Sequence, residues 1–376
     1  MAATTIGVGD PKAVKRYSAF LAVDVGRESY FNRKFMGTGI EAQTPIQTLP
    51  HLENDAGDQI SYDLVMQLKM SPVEGDNTLR GKEEDLKFYT DQVYIDQVRG
   101  GVNTGGTMTR KRTVHDLRKV ARARQAEWWA RVFDELLFMY LSGGRGSNSD
   151  YIFPLAYSGL AGNAMYAPDT AHNLFGNDAT ANSNLGSNDW FDLKLIDRAV
   201  TTAATMGGGT SGVPAVEPVR IDGEEHYVIV MHPNQEHSLR IAPSTGSWLD
   251  IQKAAAGAEG RNSPIFKGAM GMYRNVVLHS HRAATTYAAS TAYNGCSTTP
   301  SYNSARALFM GRQAGVVAFG SPGTGLRFDW NEEYEDRGNQ VVITTGSIFG
   351  VKKTRFNSID FGVISLDTSI DTTLVN

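Results

Sequence analysis

One cysteine, Cys296, is all the thiol this 376-residue chain carries, so no intrachain disulfide and no thiol-rich metal site can form. It lies in a Ser/Thr-rich stretch and is read as an ordinary loop residue. Long apolar runs are missing too. No window approaches the about 20 apolar residues of a membrane-spanning helix, and Met1 to Lys15 lacks the apolar stretch of a secretory signal. The expectation is a protein made and used in a reducing cytoplasm, with no membrane partner. Charge of either sign is also short: 36 Lys and Arg stand against 40 Asp and Glu, a net charge of −4. Tight nucleic-acid binding draws its affinity from basic residues neutralising phosphates, so any such contact here is expected to be weak and non-specific.

Signatures of catalysis and of cofactor binding are absent. No glycine-rich stretch ends in Gly-Lys-Ser/Thr, no His-Glu-x-x-His pair occurs, and no Gly-x-Ser-x-Gly elbow occurs. Gly208-Gly209-Thr210-Ser211-Gly212 misplaces its serine. The best metal candidate is His279-Ser280-His281, because residues two apart share one face of a strand. His232 or His237 would have to supply a third ligand, and the plain alternative is two strand-end histidines bonded to backbone. Glu332-Glu333-Tyr334-Glu335-Asp336-Arg337 could gather a cation, but carboxylates on a loop are more often solvated. No catalytic, cofactor or metal residue is therefore assigned.

What is present is loops, strands and one long helix. Glycine is abundant at 39 residues. Residues 1–50 look like an arm, with apolar islands (Val14, Tyr17, Phe20, Leu21, then Tyr30, Phe31, Phe35) too short to hold a helix alone in water. Gln59 to Met70 alternates as a strand with Ile60, Tyr62, Leu64, Met66 and Leu68 on one face. A turn-rich stretch follows, and Phe88 to Val98 forms a second strand ending at Arg99-Gly100-Gly101. From Glu53 to Lys87 nine acids face four bases. An isolated two-stranded ribbon is marginal in water, so this acidic hairpin should lie on a partner.

From Thr113 to Leu141 the apolar positions (Val114, Leu117, Val120, Ala121, Trp128, Val132, Leu136, Tyr140) trace one helical stripe, widened by Trp129, Phe133 and Leu137. Thr113 with Asp116 forms a capping pair at its start, and Gly143-Gly144 stop it. Ser142 to Asp189 has no sustained period and is read as a surface excursion. A short helix over Trp190 to Met206 follows. Tyr227 to Met231 is a buried strand that turns at His232-Pro233-Asn234 into a short helix through Arg240. Val276–Leu278, Leu308–Met310 and Gln313–Phe319 add strands, and Gln340 to Leu366 reads as two or three more. This irregular order makes the class α+β.

Seven bases (Arg110, Lys111, Arg112, Arg118, Lys119, Arg122, Arg124) crowd the start of the long helix, where the helix dipole already places positive charge. Something acidic should compensate. The preferred partner is the acidic hairpin of a neighbouring copy, pairing Asp55, Asp58, Glu83, Glu84 and Asp85 with Arg110, Lys111, Arg112, Arg118 or Arg122. Packaged DNA and local carboxylates are the alternatives.

Leu79-Arg80-Gly81-Lys82-Glu83-Glu84-Asp85-Leu86, running on through Tyr94-Ile95-Asp96-Gln97-Val98-Arg99, resembles the N-four-like major capsid family of tailed bacteriophages. So do the helix with Trp128-Trp129 and its Phe138-to-Gly143 end, Tyr227 to Arg240, Pro264 to His281, and Gln313 to Gly320. The resemblance runs from about residue 20 to 366. It implies the Hong Kong ninety-seven type fold: an N-terminal arm (1–50), an extended loop (51–87), and a peripheral domain (88–189) with a spine helix (113–141) and a surface insertion. An axial domain (190–320) and C-terminal strands (321–376) returning to the peripheral domain complete it. It further implies a structural protein, not an enzyme, self-assembling into the hexamers and pentamers of an icosahedral head around double-stranded DNA. Portal, scaffold and decoration proteins would be its other partners. An encapsulin-like nanocompartment shell shares the fold and is the runner-up, and a soluble metal-dependent enzyme is the reading from a different class. The physical premise is that the first ninety residues have too little interior to stand alone and are completed by sister molecules.

Overall fold

The spine of the molecule is α4 (Leu117–Ser142), and its two halves differ in what they touch. Its first turns carry the charged residues and stay largely in solvent, whereas nearly every residue from Trp129 to Ser142 is buried. The start lies four residues later than the apolar stripe suggested. Asp116 is the cap, its carboxylate accepting the Arg118 N–H at 3.1 Å, while Thr113 and Val114 lie outside the helix. Val114 is fully exposed, so it never belonged to the stripe. Gly143 ends the helix in the left-handed conformation, φ 82°, which only glycine adopts without cost.

The computed structural model describes residues 11–39, 42–50, 57–65, 70–85, 88–207, 214–221, 223–241, 269–321 and 327–370. The arm begins with α1 (Pro11–Glu28) and α2 (Tyr30–Lys34), followed by β1 (Met36–Thr38) and β2 (Ile46–Leu49). Next come β3 (Gln59–Val65), β4 (Phe88–Tyr94), β5 (Asp96–Gly106) and the short α3 (Thr107–Arg112) ahead of α4. Beyond the spine lie β6 (Asn173–Phe175), α5 (Leu193–Thr205), β7 (Val219–Ile221), β8 (Glu224–Met231) and α6 (Pro233–Ile241). β9 (Gly271–Tyr273), β10 (Val276–Ser280), β11 (Thr286–Tyr287), β12 (Ser304–Met310) and β13 (Gly315–Gly320) follow. The chain closes with β14 (Phe328–Glu335), β15 (Gln340–Lys353), the small β16 (Arg355–Phe356) and β17 (Ile359–Asp360) pair, and β18 (Val363–Ser369).

Among the described residues these strands form two principal sheets. The first has the order β1-β2-β13-β15-β14, with β5 also paired to β15. α4 packs on it through Trp129, Phe133, Phe319, Phe328 and Phe349, with ring centroids 4.5–6.4 Å apart. Large rings at such spacings combine apolar burial with favourable edge geometry. Trp129 Nε1 donates to Thr345 Oγ1 at 2.8 Å, which satisfies the one polar atom of that indole. Gly100 is required beside it, because a Cβ there would lie 2.6 Å from the Trp128 ring. The second sheet has the order β6-β18-β12-β8-β10-β9, with β11 on β12 and β7 on β8, and α5 contributes Leu195, Ile196, Ala199 and Ala203 to its core.

Several boundaries differ from the sequence reading. β5 continues past Gly100-Gly101 to Gly106, because its backbone is held by the long partner β15 and needs no side-chain propensity of its own. β13, grouped by sequence with the axial stretch, pairs with β15 in the first sheet. Of the tail, β14 and β15 join that sheet, whereas β18 runs between β6 and β12 in the second.

The arm departs most. α1 is an 18-residue helix laid against α4, and Leu21, Val25, Phe31, Phe35, Ile46 and Leu49 are buried within the chain's own core. Tertiary burial supplies the stability that an isolated helix lacks. Asp134 of α4 reinforces this: its buried carboxylate accepts Ser29 Oγ (2.8 Å), Tyr30 N–H (2.9 Å) and Phe31 N–H (3.2 Å), closing the first turn of α2. The premise that the first ninety residues cannot bury themselves is thus corrected at Leu21, Val25, Phe31, Phe35, Ile46 and Leu49.

Candidate assembly interface

The hairpin of β3 and β4 is firmly held at its base and bare at its tip. Gln59 pairs with Tyr94 and Val65 with Phe88 in antiparallel register. Ile60 and Val93 pack on Leu49, Val316 and Ala318. Tyr62 donates to Asp91 Oδ2 at 2.8 Å, and Lys352 pairs with the same carboxylate. Burial, together with the Asp91 charge, pushes the Tyr62 phenol well above its usual range. Asn163 clamps Tyr94 from both sides, accepting its N–H at 3.0 Å and donating to its carbonyl at 2.7 Å.

From Met70 to Asp85 almost every residue is exposed, including Met70 and Leu79. The acidic candidates divide accordingly. Asp55 lies outside the described residues. Asp58 is exposed at the base, where its carbonyl accepts Ile95 N–H. Glu83 and Glu84 order the tip, accepting Gly81 N–H at 2.6 Å and Met70 N–H at 2.8 Å. Asp85 is exposed and forms no ion pair among the described residues. A long, sparsely cored tip on a rigid base is a shape suited to covering another surface.

The basic candidates divide as well. Arg118 pairs with Glu332 at 2.8 Å, and Arg122 takes Asp24 Oδ2 through Nε and Nη2 at 3.0 and 2.8 Å while lying over the Phe20 ring. Both are therefore engaged within the chain, by carboxylates that the sequence could not nominate because they come from the arm and from β14. Arg110 donates to Thr107 Oγ1 and to the Asn339 carbonyl. Lys111 and Arg112 remain exposed and without an ion-pair partner among the described residues.

The remaining chemical candidates sit in packed surroundings. His279 is buried edge-on to Phe35, and His281 stacks on Phe138 at 5.2 Å. Burial, with Arg282 and Lys34 nearby, lowers His281 to about 4, and its Nδ1 accepts Ala283 N–H. Burial lowers His232 to about 4, and burial, with Asp367 adding to it against the opposing charge of Arg306, raises Cys296 to about 12, which disfavours its reactive thiolate. No group of three or more His, Cys, Asp or Glu among the described residues is placed to hold a metal, and no helix among them is long and apolar enough to cross a membrane. A cavity of about 510 Å³ lies between α4 and the rim of the second sheet, lined by Arg131, Glu135, His232 and His281 among others.

A spine helix on one sheet, a second sheet beyond it and a projecting hairpin define the class: a tailed-phage capsid subunit of the Hong Kong ninety-seven type. The comparisons agree. The model of the phage capsid protein family matches residues 5–372, and the chain belongs to that family. It is a structural subunit of a phage shell. It is similar to the capsid of Ralstonia phage GP4, at 49% identity, over 98% of this chain and 99% of that one, with a TM-score of 0.82. The major capsid protein of Pseudomonas phage KPP25 is 27% identical, over 90% of this chain and 91% of the relative. The capsid of cyanophage Pam1, 20% identical, shares the fold with a TM-score of 0.67 over 92% of this chain and 93% of that one.

Proposed function

We propose that this chain assembles into hexamers and pentamers that close as an icosahedral head around double-stranded DNA inside the bacterial host, and that it catalyses no reaction. The first sheet with α4 serves as the peripheral body and the second sheet as the axial body. The portal, with scaffold or decoration proteins where the phage encodes them, completes the list of partners. DNA contact is weak and non-specific, in keeping with the net charge of −4.

Within the shell, the hairpin tip of one copy lies across its neighbour. The hairpin's carboxylates Asp55, Asp58, Glu83, Glu84 and Asp85 meet the basic segment that holds Arg110, Lys111, Arg112, Arg118 and Arg122. Lys111 and Arg112 have the greatest freedom to answer, because Arg118 and Arg122 are held by Glu332 and Asp24. The observation that carries this reading is the contrast between the anchored base and the uncovered Met70–Asp85 tip. Replacing residues 71–84 with a short Gly-Ser turn tests it. Folded subunits that no longer form shells are expected, and normal shells from that variant would refute the role of the tip.

A further inference from the structure

Charge is unevenly shared between the two faces of the first sheet. Along β13, Val317 and Phe319 enter the core built with α4, whereas the alternating Val316 and Ala318 pack under the hairpin. α1 and α2 belong to the α4 side, since Leu21, Val25, Phe31 and Phe35 share its core. The arm and the hairpin therefore cover opposite faces. Their charges are opposite too. From Glu53 to Lys87 nine acids stand against four bases, but from Pro11 to Lys34 six bases stand against two acids, in a chain whose net charge is −4. One of those two acids, Asp24, is already paired with Arg122.

The basic surplus gathers where α2 meets the turn after β10. Arg33 and Arg282 are exposed, and Lys34 is half-buried with its Nζ 4.8 Å from the centre of the Tyr30 ring. Tyr30 in turn lies 4.4 Å from the ring of His281, the residue before Arg282, so two separate elements bring their cations together. Arg27 is exposed at the end of α1. None of these four cations forms an ion pair with another described residue. The negative end of the α2 dipole favours Arg33 and Lys34. It does not account for Arg282, which comes from a different element.

We propose that the arm face is where this chain meets packaged DNA, with Arg27, Arg33, Lys34 and Arg282 bonded to phosphodiester oxygens of the duplex. This rests on the reading that the shell encloses double-stranded DNA. Guanidinium and ammonium groups pair with phosphates without reading base sequence, which is the weak, non-specific contact suited to a container wall. The acidic hairpin is repelled by the same polyanion and belongs on the face turned away from it. A neighbour's hairpin is the competing source of negative charge, but its base is seated on the opposite face of the sheet.

The test uses the full-length unassembled subunit and a duplex of about 20 base pairs, with binding followed by fluorescence anisotropy across a salt series. Arg27→Gln, Arg33→Gln and Arg282→Gln are combined, and Lys34 is kept because it packs over Tyr30. The triple variant should keep the parent's thermal midpoint and still form shells. It should bind the duplex about ten-fold or more weakly, with the slope of log affinity against log salt reduced by about 2–3. Arg80→Gln with Lys82→Gln, on the hairpin, should leave that slope unchanged. No binding by the parent, an unchanged slope in the triple variant, or an equal loss from the hairpin pair would overturn the proposal. If the triple variant loses shells and keeps its slope, the cations meet a neighbouring copy and the proposal falls. Failure of the parent itself to form shells refutes the assembly reading, whereas the salt slopes are read on single subunits and judge the phosphate contact separately.

Discussion

Arg306 on β12 and Asp367 on β18 form a fully buried, two-pronged ion pair, with Nε and Nη2 each 2.6 Å from a carboxylate oxygen. The same guanidinium reaches the last turn of the spine through the Ser142 carbonyl (2.6 Å) and the 288–303 loop through the Gly295 carbonyl (2.7 Å). One side chain thereby ties the second sheet to the end of α4. Removing either partner strands a buried charge, so Arg306→Ala or Asp367→Ala is expected to cost about 3–5 kcal/mol of subunit stability. Denaturant unfolding of the unassembled subunit checks this, and a loss below about 1 kcal/mol, typical of an exposed pair, would contradict it.

Asp134 gives the arm a pH dependence. Burial is the main cause that raises its carboxyl to about 6, against the three donors from Ser29, Tyr30 and Phe31. A carboxyl that holds its proton more tightly when folded contributes stability that is full at low pH and is lost as pH rises through the ordinary range near 4 up to about 6. Parent and Asp134→Asn subunits should therefore differ in slope: between pH 4 and 6, the parent alone loses this contribution. Parallel stability profiles of the two would count against it.

Gly350 faces the base of the hairpin, where a Cβ would run into the Tyr94 carbonyl. Gly350→Ala is expected to push β4 off β15 and to cost about 1–3 kcal/mol, as overpacking does. Amide exchange should accelerate first at residues 88–95.

Arg122 is half-buried and bound to Asp24 of the arm. Reversal to Glu places two carboxylates together, so it is expected to lower the subunit's melting point as well as its assembly. Arg122→Ala should cost about 1 kcal/mol or less, given the pair's partial exposure. An unchanged melting point for Arg122→Glu would show that the α1–α4 contact does not depend on this pair. Lys111 and Arg112, which have no ion-pair partner among the described residues, are cleaner probes of assembly.

The spine helix, the hairpin strands and the α+β class were legible in the sequence because each is local: a 3.6-residue stripe, an alternating run, a glycine stop. The start of α4 was misplaced because Val114 mimics the stripe while facing solvent, and the true cap, Asp116, lies inside the presumed helix. α1 is not legible in the sequence because its stability comes from packing on α4 and β14, segments far along the chain. The basic candidates divide between α3, which holds Arg110, Lys111 and Arg112, and the start of α4, and the pairing of Arg118 and Arg122 with Glu332 and Asp24 depends on the folded arrangement of distant segments. The order of strands in the two sheets, with β18 leaving its sequence neighbours for β12, follows from the same kind of long-range pairing.

Negative-stain microscopy of the full-length chain under assembly conditions addresses the central claim most directly. Closed shells, or rings with five-fold and six-fold symmetry, are the expected particles. A small, uniform oligomer at every concentration tried, with the Met70–Asp85 tip folded against its own chain, would contradict the assignment.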